Sequence, residues 1–141
     1  MQDYMECREY GCRVLVLDTA AFLAALPLQI YDAVLYTVPA VIDEVKDYES
    51  RARLEFASIA NRFRIETPEA TYIKKAIEVA KRLRVLEKLS KADLQVLALA
   101  LKLVDSGLKP IVMTDDYTLQ HILKSIGISF RAVKTMGIET S

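Results

Sequence analysis

The chain has 141 residues, 52% of them hydrophobic, and its Lys and Arg residues balance its Asp and Glu residues, 19 against 19. This length fits one ordinary domain with a core of its own. The longest apolar stretch, residues 20–36, is interrupted by Pro27, Gln29 and Asp32, whereas crossing a bilayer takes about 20 uninterrupted apolar residues. Charged residues before Val14 occupy the place of a signal peptide's apolar region. We therefore expect a cytoplasmic protein with no membrane partner.

Two cysteines lie in the first twelve residues, which form a polar leader. Cys7 and Cys12 would need two further ligands to bind zinc, and the only histidine, His121, is distant in sequence. A disulfide and a pair of free thiols both remain open, and free thiols fit a reducing compartment. We divide the chain into a leader, residues 1–12, and a single domain, residues 13–141.

Hydrophobic runs and turn residues predict strands and helices in alternation. In chain order they are strand 14–17, helix 20–26, strand 33–37, helix 39–60, a short extended piece 62–66, helix 69–88, helix 91–105, strand 110–114, helix 117–126 and strand 129–133. Strands that are apolar without alternation are typical of a parallel sheet buried on both faces. The order predicts an α/β fold in which helices cover both faces of this sheet.

Acidic residues follow two of the predicted strands directly. Asp18 comes after the run from Val14 to Leu17, and Asp115 and Asp116 follow Ile111–Val112–Met113 and Thr114. Ligands of parallel sheets bind beyond the carboxyl ends of the strands, so these acids should face one crevice. Clustered carboxylates repel one another, and a divalent cation offsets that repulsion. The pattern therefore favours a metal-dependent reaction.

The helix after the second strand supplies a third acid. At 100° per residue, Glu44 borders the apolar face defined by Val41 and Val45, whereas Asp43 points to solvent. A glutamate at such a boundary is also an ordinary feature of an amphipathic helix. Its relevance depends on the other acids.

A fourth acid begins the helix 91–105. Ser90 has the position of an N-cap and Asp93 that of the third helical residue, which together form a capping box. This structural role is sufficient to explain both residues. It is also compatible with metal binding, since one carboxylate oxygen can accept the amide hydrogen bond while the other faces the crevice.

Charge is distributed unevenly along the neutral chain. Residues 1–50, 51–91 and 92–141 carry net charges of −6, +6 and 0. Within residues 51–91, the basic block, one face of the predicted helix 69–88 carries Lys74, Lys75, Lys81 and Arg82. An RNA backbone could bind there, and a solvated face held by ion pairs with Glu78 is the alternative.

The order of these motifs resembles the PIN-domain ribonucleases. The resemblance rests on Asp18-Thr19 after a strand, Thr37-Val38-Pro39 leading to Glu44, Ser90-Lys91-Ala92-Asp93 opening an apolar helix, and Thr114-Asp115-Asp116 after a strand. It covers about residues 13–133. Within the superfamily, the stretches around Glu44 and from Thr114 to Gln120 are most similar to the endonucleases that trim the 3′ end of small-subunit pre-rRNA.

The resemblance implies a three-layer α/β/α fold with a mostly parallel central sheet, and an endonuclease that hydrolyses single-stranded RNA to a 3′-hydroxyl and a 5′-phosphate. Mg²⁺ or Mn²⁺ would be the cofactor, and the small ribosomal subunit precursor a partner, with a homodimer also compatible. Asp18, Glu44, Asp93 and Asp116 would be catalytic and, together with Asp115, metal-binding, with Thr19, Ser90 and Thr114 in support. Tyr117, next to the acidic pair, is the tyrosine that we expect to stack on an RNA base.

Several alternatives remain open. The pre-rRNA endonucleases normally continue into a C-terminal zinc ribbon, and this sequence contains none. The same acids also resemble those of VapC-type toxins, and a PIN fold can act mainly as an RNA-binding assembly factor. A response-regulator receiver fits poorly, since it requires its acidic pair after the first strand.

Overall fold

The computed structural model describes residues 13–24, 30, 32–46 and 63–134. A five-stranded sheet organises them, in the order β3-β2-β1-β4-β5, with all neighbouring strands parallel. The elements are β1 (Arg13–Leu17), α1 (Thr19–Leu23), β2 (Ala33–Thr37), α2 (Pro39–Val45), β3 (Phe63–Ile65), α3 (Ala70–Arg82), α4 (Lys91–Asp105), β4 (Pro110–Met113), α5 (Tyr117–Ile126) and β5 (Ser129–Arg131).

The central position of β1 in the sheet explains why its sequence is apolar without alternation. Val14 to Leu17 are all buried, because strands flank β1 on both sides and helices cover the sheet. Helix α1 contacts α2, and α4 contacts both α3 and α5. With this strand order, the right-handed crossovers that parallel strands almost always have assign α1 and α2 to one face and α3, α4 and α5 to the other. This is the three-layer α/β/α arrangement that the sequence predicted.

Helix α4 is the most buried helix in the described part of the chain. Its residues from Val96 to Ala100 are all buried, as expected for a helix that is apolar nearly all round. Helix α2 begins with Pro39 in its first turn, and α5 ends at Gly127 in a left-handed conformation with φ 78°. Proline favours the first turn of a helix and glycine the left-handed position that ends one, so both residues suit their places.

Strand 33–37 and helices 91–105 and 117–126 were predicted with their observed bounds. The predicted helix 69–88 is wrong at its end, because α3 stops at Arg82 and a 3-10 turn occupies Leu86–Lys88. Arg84 has φ 61°, and Val85 N–H donates to the Ala80 carbonyl over 3.0 Å. Glycine usually takes this left-handed position. With arginine there, the sequence contains no stop signal.

The leader, with Cys7 and Cys12, lies outside the described residues, as does the predicted continuation of helix 39–60 beyond residue 46. Within the described ranges, no helix has the length and apolar character needed to span a membrane.

Candidate active site

The site lies at the carboxyl ends of the central strands. In the β1–β4 pair Leu17 is opposite Met113, and Asp18 N–H continues the pairing by donating to the Met113 carbonyl over 3.1 Å. Asp18 and Thr114 therefore lie side by side although 96 residues separate them. The parallel sheet thus brings the two acidic motifs of the sequence to one edge.

Asp18 is buried, with 7% of its surface exposed. Its Oδ1 accepts a hydrogen bond from Thr19 N–H at 2.8 Å, and its Oδ2 accepts one from Thr114 Oγ1 at 2.8 Å. Burial raises the pKa of this carboxyl, as do the charges of Glu44 and Asp116, while the two hydrogen bonds act in the opposite direction. The carboxylate is therefore held rigidly in a place that disfavours its charge.

Thr19 connects Asp18 to Glu44. Its backbone N–H is bound by Asp18, while its Oγ1 donates to Glu44 Oε1 over 2.6 Å. Glu44 is half-buried and Asp43 is exposed, as the helical periodicity predicted. The first turn of α1 thus aligns acids from β1 and α2.

Asp93 enters the crevice from the start of α4. The predicted capping box is present, with Ser90 N–H donating to Asp93 Oδ2 over 3.0 Å and Asp93 N–H donating to Ser90 Oγ over 3.1 Å. Burial raises the pKa of Asp93 to about 6, against the Ser90 hydrogen bonds, and the charges of Asp18 and Asp116 add to the increase. Asp93 Oδ1 has no hydrogen-bond partner within the described part of the chain.

The two consecutive acids after β4 have different surroundings. Asp116 caps α5 by accepting from Leu119 N–H at 2.9 Å, and its own N–H donates to Thr114 Oγ1 over 3.1 Å. Asp115 Oδ1 instead accepts the amides of Val133 at 2.6 Å and Lys134 at 3.3 Å. The structure therefore groups Asp116 with Asp18, Glu44 and Asp93, and turns Asp115 toward the chain beyond β5.

Sequence reasoning assigned no role to Gln95, which contributes to the geometry. Val38 is the N-cap of α2, but its apolar side chain cannot accept a hydrogen bond from the first turn of the helix. Instead, Gln95 Oε1 of α4 accepts from Ala40 N–H over 3.1 Å. The bond joins the helix that carries Glu44 to the helix that carries Asp93. Nothing in the local sequence signals a cap supplied from another helix.

Two further polar residues hold the strand ends. Thr37 is fully buried, and its Oγ1 donates to the Leu17 carbonyl over 2.8 Å. Gln120 Nε2 donates to the Thr114 carbonyl over 2.8 Å. Both residues lie in the motifs that carried the family resemblance, which is the only signal that would have identified them.

The predicted basic face of α3 lies away from these acids. Lys74, Lys75, Lys81 and Arg82 are exposed. Lys75 Nζ is 3.3 Å from Asp105 Oδ2, and Asp105 is twelve residues after Asp93 in α4, a separation of about 18 Å along the helix axis.

The second half of α3 is also remote from the carboxylates. Val79 and Arg82 line a small cavity together with Ser125 and Ile126, at the end of α5 opposite Asp116. The structure therefore does not bring the basic face of α3 to the carboxylates. Tyr117 is different, since it follows Asp116 directly and is 80% exposed.

The donor set fits a hard divalent cation in its chemistry. Carboxylate oxygens are the ligands that Mg²⁺ and Mn²⁺ prefer. Burial, and to a smaller extent the neighbouring acids, raises the pKa of Asp18 and of Asp93, so a bound cation would stabilise their charged forms. Within the described residues, no three acidic side chains are already arranged around a single ion position. Binding would require the side chains to converge further, as expected when a cation removes their repulsion.

Comparison with known proteins identifies the class. Residues 15–103 match the family model of the PIN domain of ribonucleases. The chain belongs to this family, and it is a ribonuclease, as the motif order predicted. PIN-domain nucleases generally depend on a divalent metal.

Curated relatives fall into the two groups that the sequence indicated. "Ribonuclease VapC3" of Aeropyrum pernix is 40% identical over 135 residues, which are 93% of this chain and 94% of the relative. "Endoribonuclease Nob1" of Pyrococcus abyssi is 37% identical over 120 residues, 85% of this chain and 68% of the relative.

A solved structure of VapBC-1 from nontypeable Haemophilus influenzae has the same fold. The match has a TM-score of 0.50 at 11% identity and covers 85% of this chain and 98% of that one. The fold expectation is confirmed.

Proposed function

We propose that this protein is a metal-dependent endoribonuclease that cleaves single-stranded RNA in the maturation of small-subunit pre-rRNA in the cytoplasm. The observation that carries the chemistry is the convergence of Asp18, Glu44, Asp93 and Asp116 from four separate elements onto one edge of the sheet. The Nob1 relatives, which match over most of this chain, support the pre-rRNA substrate.

These four carboxylates would hold Mg²⁺ or Mn²⁺, with Asp115 outside the group. When bound, the cation supplies an activated water and neutralises charge that develops on the phosphate. Hydrolysis adds water across the P–O3′ bond and leaves a 3′-hydroxyl and a 5′-phosphate. The protein's own contribution is orientation: Thr114 and Thr19 fix Asp18 and Glu44, and the Ser90 cap fixes Asp93.

The direct test is cleavage of an end-labelled single-stranded RNA panel with Mn²⁺, with Mg²⁺ or with EDTA. Wild type should cut internally with metal only, and Asp18→Asn, Glu44→Gln and Asp93→Asn should each remain folded and inactive. Asp43→Asn is the matched control, since it removes an exposed acid from the same helix as Glu44. Retained activity in two of the three site variants would contradict the assignment.

A VapC-type toxin is the second candidate, and the observation in its favour is the 40% identity with VapC3 over 135 residues. The carboxylates bind phosphate through metal and carry no base information, and phosphate contacts position a strand without specifying its sequence. The domain alone should therefore cut with little sequence preference, and assembling small-subunit particles should restrict cleavage to the rRNA 3′ end. Selective cutting of one tRNA or mRNA loop by purified protein would favour the toxin.

A further inference from the structure

Two cations that the sequence did not single out lie at the end of the strand next to β4, whose own end leads to Asp116. Arg131 ends β5 opposite Met113, and its carbonyl accepts from Thr114 N–H at 3.1 Å. Lys134 follows three residues later, with its N–H bound to Asp115 Oδ1. Both residues are therefore fixed by backbone contacts to the segment that ends in Asp116.

Neither cation is neutralised by a described carboxylate. The side chains of Arg131 and Lys134 are exposed, and neither forms an ion pair with a described acid. Arg131 Nη1 donates one hydrogen bond, to the Phe130 carbonyl over 3.3 Å, which leaves its other N–H groups for an anion. In contrast, Lys75 and Lys102 are paired with acids on neighbouring elements.

Tyr117 adds an aromatic surface to the same edge. It is 80% exposed, although a tyrosine gains stability by burying its ring. It directly follows Asp116, whose carboxylate accepts from Leu119 N–H in the first turn of α5 and whose N–H donates to Thr114 Oγ1, so the backbone beneath the ring is held in place. Exposed aromatic rings and cations are the groups that single-stranded nucleic acids bind, through base stacking and phosphate contacts.

We propose that single-stranded RNA reaches the carboxylates over this edge, with Arg131 and Lys134 contacting phosphates and Tyr117 stacking on a base next to the scissile bond. This inference rests on the proposed ribonuclease function and names the substrate surface of the same site. The charge argument supports it, because an acidic crevice repels phosphates and needs cations beside it. The carboxylate of Asp115 orients the edge by binding the amides of Val133 and Lys134.

The test measures binding of a fluorescein-labelled uridine oligonucleotide of about eight nucleotides, a length within the range of single-strand sites. Asp18→Asn protein is used so that the RNA stays intact. Adding Arg131→Glu and Lys134→Glu should weaken binding at least about tenfold and flatten the salt dependence, by about 0.7 in the log–log slope for each phosphate that is no longer bound. The matched control reverses Lys109 and Lys124, two exposed cations at the opposite end of β4 and α5, and should stay within about twofold of the parent.

Stacking is tested separately. Tyr117→Ala should weaken binding about tenfold, whereas Tyr117→Phe should retain it, because the ring and not the hydroxyl makes the contact. An abasic nucleotide scanned along the RNA should lower the affinity of the parent at one position and have no further effect on Tyr117→Ala. Circular dichroism and the melting temperature confirm that every variant is folded.

The outcomes separate this surface from the proposed function. Parent-like affinity and salt slope in the Arg131→Glu, Lys134→Glu protein overturn the surface, even if wild type cleaves RNA with metal. Conversely, if wild type never cleaves but the edge variants lose binding, the surface holds and the nuclease assignment fails. An abasic effect that persists in Tyr117→Ala refutes the stacking contact.

Discussion

At the residue scale, the carboxylate with the most constrained surroundings is Asp18. Both of its oxygens are hydrogen-bonded, one to a backbone amide and one to the hydroxyl of Thr114, and it is buried against the charges of Glu44 and Asp116. These bonds fix the direction in which the carboxylate can bind a cation. Thr114 therefore acts on the site through Asp18 and, because its Oγ1 also accepts from Asp116 N–H, through Asp116.

Replacing Thr114 tests this dependence. Thr114→Val keeps the shape but removes the donor to Asp18 Oδ2 and the acceptor for Asp116 N–H. Removing a hydrogen bond that orients a metal ligand typically lowers metal affinity or activity about 10- to 100-fold. Thr114→Ser retains the hydroxyl and should keep most of the activity. RNA cleavage measured across a Mn²⁺ titration gives the metal affinity and the activity of each variant. Equal activity in the Val and Ser variants would show that the Thr114 hydroxyl does not orient the metal ligands.

Asp93 predicts how stability depends on pH without metal. Its pKa rises from an ordinary 3.8 to about 6 on folding, so within that window the folded protein binds a proton that the unfolded chain has released. Stability in EDTA should therefore be highest below about pH 4 for this group and decline as pH rises toward about 6. Asp18 contributes in the same direction.

Urea unfolding in EDTA across this range measures the decline. In Asp93→Asn the side chain at position 93 cannot titrate, so stability should decline less steeply with pH. Asp43→Asn, on the exposed face of α2, should show the same decline as wild type. An identical pH dependence in wild type and Asp93→Asn would exclude Asp93 as its source.

At the element scale, the structure shows which features a sequence determines locally. The apolar run of β1, Pro39 at the start of α2 and the Ser90–Asp93 capping box are encoded within a few residues, and each was predicted. The end of α3 was not, because Arg84 occupies a left-handed position without glycine. The cap that Gln95 supplies to α2 was missed as well, because it depends on packing between two helices.

Gln95 provides a prediction about this packing. Gln95→Met removes the acceptor for Ala40 N–H and should destabilise the protein by about 1 kcal/mol, as loss of a helix cap does. Gln95→Glu keeps an acceptor and should lose less. Because α2 carries Glu44 and α4 carries Asp93, the Met variant should also lose more cleavage activity than its stability alone explains, measured as kcat well below its melting temperature. Unchanged kcat would confine Gln95 to a stabilising role.

At the scale of the whole molecule, the basic face of α3 and the carboxylates lie at different ends of α4. Lys75 contacts Asp105, about 18 Å from Asp93 along the helix. An RNA that reaches both must be long. Counting charges along the sequence identifies the basic block of residues 51–91, but the distance of this block from the carboxylates depends on the fold and cannot be obtained from the count.

RNA length tests the contribution of α3. Lys81→Glu with Arg82→Glu should weaken binding of an RNA of about 20 nucleotides and leave a dinucleotide unaffected, because a single internucleotide linkage is far shorter than the distance of about 18 Å between Asp93 and Asp105 along α4. The Lys109→Glu, Lys124→Glu protein again serves as the control, and fluorescence anisotropy is the measurement. Equal affinity of the variant and wild type for the long RNA would show that this face is only solvated.

The position of β1 in the middle of the sheet also determines when the site can exist. The hydroxyl that orients Asp18 belongs to Thr114, 96 residues later in the chain, and β1 obtains its second neighbour only when β4 has been synthesised. Contacts this distant in sequence form late in folding because a long loop must close first. A chain whose synthesis has not reached β4 and Thr114 therefore lacks the strand and the hydroxyl that fix Asp18, and its catalytic centre is not yet assembled.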